Sequence, residues 1–247
     1  MIENIYVYVE LFPKCQEAME ESVQSKENHH DFYCKKVYIN SDDIKTYFDE
    51  ECPKFFSYLN KIDAISFSKP NLKWAACIYM YYWIFHELLK GNEKGSNSKI
   101  LYENFIKAFN EMDIEKFNNF IRIVITENEL EYLKNIYDMN KELDDIVNTT
   151  KKSCIDKCNS AKKCSHLYMQ HKNSCTHNNN KDFCNALEKI RDRYNTQMKS
   201  MSCGDDTPKW LPSFQQFNSI IVIITTIVII VVIFISIIIL YKVSYDI

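Results

Sequence analysis

The amino-acid sequence predicts an all-α protein. It reads as a disulfide-stapled helical bundle ectodomain (residues 1–207), a juxtamembrane segment (208–219), one transmembrane helix (220–240) and a short cytoplasmic tail (241–247). Three observations carry that prediction. The 247 residues include only 3 Gly and 5 Pro, too few for the turns of a β-rich fold. Apolar residues recur at steps of three and four through most of the chain. Ten cysteines precede a long uncharged apolar run near the C-terminus.

Composition supports the first part. With 46% apolar residues and 14% aromatics the chain can pack a core, which excludes wholesale disorder. A net charge of −3 leaves no strongly basic surface, so nucleic acid is not an expected partner. The 27 Lys against 3 Arg, with 31 Ile and 23 Asn against 7 Ala, follow A/T-rich codons rather than electrostatic design. A tract such as Asn178-Asn179-Asn180 therefore carries no signal.

Taken in order, the first helix signal is Ser41-Asp42-Asp43, a cap with an acidic first turn. That helix is expected to run to Pro53, with another turn or two to Lys61. Pro70 suits a helix start and Gly91 lies just past a helix end. Between them residues 74–85 are apolar all round and too short to cross a bilayer, as the central helix of a core would be. Residues 91–98 read as a linker. Ile114, Phe117, Phe120, Ile121 and Val124 form an amphipathic helical stripe. Thr126-x-x-Glu129 is a capping box for a long helix bearing Leu130, Leu133, Tyr137, Leu143 and Ile146. Asn148-Thr149-Thr150 has the form of a glycosylation sequon. Phe183, Leu187, Ile190, Tyr194 and Met198 make a last helical face.

The cysteines fall into two even groups. Cys15, Cys34, Cys52 and Cys77 precede residue 78; Cys154, Cys158, Cys164, Cys175, Cys184 and Cys203 follow residue 153. All ten are disulfide candidates, in two separately stapled regions or across them, and connectivity is not legible from sequence. A zinc site is the rival, since His166, His171 and His177 lie among the second group, but no C-x-x-C occurs. Buried free thiols are the third reading. Disulfides place residues up to about 209 on an oxidising side.

The run over residues 220–240 is interrupted only by Thr225, Thr226 and Ser236, whose hydroxyls can bond back to helix carbonyls. As a helix it spans about 31 Å, the thickness of a hydrocarbon core. Trp210, Phe214 and Phe217 fit one interface and Tyr241-Lys242 the other. Lys is too sparse on either flank to orient it, and Met1 to Tyr6 does not open a secretory signal. A tail-anchored cytosolic protein and an ectodomain outside the cytosol both fit that topology; the cysteines favour the second. The expected partner is the lipid bilayer, through residues 220–240.

No catalytic constellation, cofactor motif or metal site is expected. His29, His30, His86, His166, His171 and His177 belong to no nucleophile, metalloprotease or phosphate-binding motif. His86, following the apolar run, reads as a satisfied helix residue. Asp42-Asp43, Asp144-Asp145 and Asp205-Asp206 read as solvated turns or helix ends.

Three stretches together resemble the Plasmodium interspersed repeat (PIR) proteins, most like the Vir branch of Plasmodium vivax. They are Asp31-Phe32-Tyr33-Cys34; the Trp74–Ile84 helix, with Cys77 followed by apolar residues and Tyr82-Trp83; and Asp182-Phe183-Cys184-Asn185-Ala186-Leu187 with Arg193-Tyr194, then Cys203 before a membrane span. The resemblance implies a variant antigen exported to the infected red cell without a conventional signal peptide, acting in immune evasion and, for some members, adhesion to host receptors. Host receptors and antibodies are thus implied partners. The alternatives are a structural protein of parasite-made membranes inside the red cell and a tail-anchored cytosolic protein. Two departures stand out: His86 where an Asp is expected, and the short tail, which argues against a role for a cytoplasmic region. On a fixed bundle, variation and recognition are expected at loops 91–98 and 165–181. The Trp83 ring is expected to be buried.

Overall fold

The computed structural model describes residues 4–24, 31–67, 69–90, 95–112, 116–147, 153–176, 180–214, 224 and 226–237. Among them no residue is in a β-strand. A 3-10 turn, Ile5–Leu11, opens the fold, with the Tyr6 amide donating to Asn4 Oδ1 at 3.0 Å. It leads into α1 (Phe12–Gln24), α2 (Asp31–Cys34), α3 (Asp42–Ile65) and α4 (Pro70–Trp83). Beyond these come α5 (Gly95–Asn110), α6 (Glu127–Val147), α7 (Cys154–Gln170), α8 (Lys172–Thr176) and α9 (Lys181–Met198). The all-α, disulfide-bonded class expected from sequence is what forms.

α4 is the centre. Pro70 starts it, where the missing N–H has no helical partner to lose. From Ala75 to Tyr82 every side chain is buried, and α4 touches the 3-10 turn, α1, α3, α5 and α6. A single-turn π-helix, Ile84–Leu88, continues it, and Lys90 ends it in the left-handed region at φ 53°. Trp74 and Trp83 flank the buried stretch and are only half-buried, against the expectation for Trp83. Trp83 lies on the rim because the π-turn follows it at once, and Lys54 Nζ occupies its face at 3.7 Å from the ring centroid.

The other elements depart from the sequence reading in instructive ways. α3 does not stop at Pro53 but runs through it to Ile65. The lost N–H and ring clash cost about 3 kcal/mol, and the burial of Phe48, Cys52, Phe55, Phe56, Leu59 and Ile62 on one helix outweighs that. Residues 95–98 are the first turn of α5, not linker; the Gly95 amide donates to Glu127 Oε1 at 2.6 Å, a cap supplied by α6. A Cβ at Gly95 would meet Glu127 Cγ at 2.9 Å, so a larger residue there would have to displace the Glu127 side chain that caps the helix. Residues 91–94 lie outside the described residues. The stripe from Ile114 is no long helix either. Asn118–Phe120 is one 3-10 turn, after which Ile123 and Ile125 are buried between exposed Arg122, Val124 and Thr126, a period of two. Ile114 lies outside the described residues. The Thr126–Glu129 box forms as expected, with both reciprocal bonds made, and α6 buries Leu130, Leu133, Leu143 and Ile146.

After α9 the chain folds back. Residues 201–214 form an extended strap over α7 and α9, with Leu211 and Phe214 buried. The boundary at 207 and the assignment of Phe214 to a juxtamembrane segment are therefore corrected: Phe214 stacks on Tyr168 at 4.4 Å and belongs to the domain, while Trp210 is exposed. Residues 226–237 are helical, and the rest of the expected span, 220–223, 225 and 238–240, lies outside the described residues apart from Ile224. Among the described residues no helix is long and apolar enough to cross a membrane.

Candidate functional site

Six of the ten cysteines pair: Cys34 with Cys52, Cys158 with Cys203, and Cys175 with Cys184. Each pair stays within its own group, as two separately stapled regions require. The first staple joins α2 to α3, the second α7 to the strap, and the third α8 to α9. Cys15, Cys77, Cys154 and Cys164 are free thiols, which corrects their candidacy as disulfide partners.

Three of these thiols are core residues. Burial pushes the Cys15 thiol up to about 12, and the Tyr58 hydroxyl beside it opposes this only in part. Burial drives Cys77 higher still, with Tyr102 as its partner. Each tyrosine gives its own hydrogen to a backbone carbonyl, Tyr58 to Ala76 at 3.0 Å and Tyr102 to Phe120 at 2.8 Å. Cys164 is likewise raised to about 12, first by burial and then by Glu142. All three are protonated and inert in the folded state. Cys154, the first residue of α7, is exposed.

A concave surface runs along α6 where it faces the N-terminal turn, α1 and α9. It consists of two adjoining cavities, about 550 Å³ and about 460 Å³, which share Gln16, Tyr137 and Lys141. The Tyr137 hydroxyl donates to Gln16 Oε1 at 2.5 Å and bridges the groove where they meet. One end carries Asp144, Asp145 and Arg193; Arg193 donates to Asn140 and to Asp144 Oδ1, the latter at 2.8 Å. The other end carries Tyr79, Tyr82 and Trp83 with Lys54, Glu87 and Asp138. Both charge signs and aromatic faces line the groove.

The strap is held by more than its disulfide. Asn195 gives its amide hydrogen to the Leu211 carbonyl at 3.1 Å and accepts from the Leu211 N–H at 2.7 Å, a buried reciprocal pair. Tyr194 donates to Pro208 O at 2.5 Å and Tyr168 to Pro212 O at 2.7 Å. Glu188 accepts from the Phe214 amide and from Ser213. Sequence reading missed this element because nothing in residues 201–214 is periodic.

The remaining candidates are scattered. His86 Nε2 contacts the Leu130 carbonyl at 3.2 Å, the satisfied helix residue expected. His171 packs edge-on against Phe183, and burial lowers its pKa. His166 is exposed on α7, whereas His29, His30 and His177, like the sequon at 148–150, lie outside the described residues. No group of three or more His, Cys, Asp or Glu among the described residues is placed to hold a metal ion. The expected recognition loop 165–181 is instead largely helical where described, in α7, α8 and the first residue of α9, with Ser165, Tyr168 and Cys175 buried. No known protein family, curated protein or solved structure matches the chain.

Proposed function

We propose that the chain is a membrane-anchored surface antigen of the variant type its motifs resemble, displaying a stapled helical domain outside an infected red cell for contact with antibodies and host receptors. The observation that carries this reading is the 226–237 helix. Its isoleucines, valines and Phe234 are 47–63% exposed, so the folded domain covers none of them. A bilayer is the surrounding that makes such a helix stable, and the apolar sequence continues on both sides to the length of a span. Ser236 Oγ donates to the Val232 carbonyl at 2.8 Å, which meets the need of a hydroxyl in hydrocarbon. The three disulfides support an oxidising location for the domain. The α6 groove is the concave surface that a receptor contact would use.

Two measurements test the reading together. The chain should stay with membranes on alkaline carbonate extraction, and protease added to intact infected cells should remove the domain. Release into the carbonate supernatant would refute the anchor. Full protection from protease would instead assign the protein to membranes inside the host cell.

A further inference from the structure

We propose that Cys154, Cys158 and Cys203 form an internal thiol–disulfide exchange site in which Cys154 is the attacking thiol. Cys154 is an exposed free thiol at the first position of α7. Cys158 stands four residues on, one helical turn away on the same face, where Cβ atoms lie about 5–6 Å apart. Cys158 is bonded to Cys203, and both are only half-buried. A water-accessible nucleophile thus adjoins a disulfide that is itself open to water. The other three free thiols are buried.

The step balances without an external reagent. The Cys154 thiolate attacks Cys158 Sγ, a Cys154–Cys158 bond forms, and the Cys158–Cys203 bond breaks. Cys203 leaves as a thiolate and takes a proton from water. One thiol and one disulfide stand on each side, so nothing is oxidised or reduced overall. The new bond lies within the first turn of α7, where the backbone is held only from one side and by the Ser153–Asp156 capping box. The old bond ties α7 to the strap across 45 residues of sequence. Exchange therefore turns a covalently locked strap into one held only by non-covalent contacts, those of Lys162, Tyr168, Glu188, Tyr194 and Asn195 among them.

The test uses the full chain in detergent micelles, incubated at a series of pH values up to about 8.5, where a free thiol is half ionised. Acid quenching, maleimide capping and peptide mass mapping then report which sulfurs are bonded. The wild type should yield a Cys154–Cys158 cross-link with capped Cys203, in an amount that grows with pH. Cys154→Ala, a change at an exposed position that keeps the capping box, should show capped Cys203 at least about tenfold less. A Cys158–Cys203 bond that persists at every pH with Cys154 capped would overturn the proposal. So would equal capping of Cys203 in Cys154→Ala. A Cys154–Cys203 cross-link with Cys158 capped would overturn the assignment of the attacked sulfur.

Discussion

Phe55 and Trp83 meet edge to face, 5.5 Å between ring centroids, yet stand in different surroundings. Phe55 is fully buried and lies 4.2 Å from the Phe105 ring. Phe55→Ala should cost about 3–5 kcal/mol, a large share of a domain's stability. Trp83→Ala should cost less, about 2 kcal/mol, because part of the ring is already wet and Lys54 adds about 1 kcal/mol at most. Urea denaturation of both variants checks the order; equal losses would contradict it. Asp63 offers a pH-dependent test. Burial pushes its carboxyl up, but Lys73 at 2.7 Å and Lys116 at 2.9 Å outweigh that and lower its pKa. A carboxyl depressed on folding stabilises above its unfolded pKa of about 3.9, and the gain fades as pH falls through the lower folded value. Asp63→Asn should therefore be less stable than wild type near neutrality and converge with it in acid. Partial exposure keeps the gap small. A gap that is constant with pH would exclude the ion pairs as its cause.

At the scale of elements, the strap is the testable novelty. Asn195→Ala leaves the Leu211 N–H and C=O buried without partners, at a cost of about 2 kcal/mol or more. Amide exchange at Leu211 should accelerate by more than the global loss of stability explains, and an unchanged rate would mean that the strap closes by other contacts. Legibility of the other elements follows the range of the forces involved. The Thr126–Glu129 box acts within one turn, so it was readable, as were the α4 run and the α9 face, where one period holds throughout. Phe117 and Phe120 are core residues as their spacing implies, but the chain changes from a 3-10 turn to an extended stretch after them. A stripe counted at three and four runs two geometries together. Pro53 misled because a local cost was weighed without the tertiary burial that exceeds it. Cysteine pairing followed helix contacts that spacing does not encode. Cys15, Cys77 and Cys164 took the role of small apolar residues, which a cysteine count cannot distinguish from a staple.

For the whole molecule, the sulfur states predict a three-step alkylation series at a pH low enough to suppress thiolate exchange. Without reductant the native chain should then react at Cys154 alone; denaturant should add Cys15, Cys77 and Cys164; reductant should add the remaining six. Four thiols reactive before denaturation, or none after it, would contradict the core. The strap has a further meaning if the 220–240 segment sits in a bilayer. Phe214 is fixed to the domain, so only residues 215–219 separate it from the first residue of the apolar run. Whatever path they take, the six steps from Phe214 to Ile220 reach about 22 Å at most. On that premise the domain would be moored close to the lipid, with the α7–α9 side that carries Phe214 in the steric shadow of the bilayer. Large soluble molecules such as immunoglobulins would be turned away from that flank and obliged to approach over the opposite pole, so exposure to solvent and visibility to an antibody are different properties of the same surface.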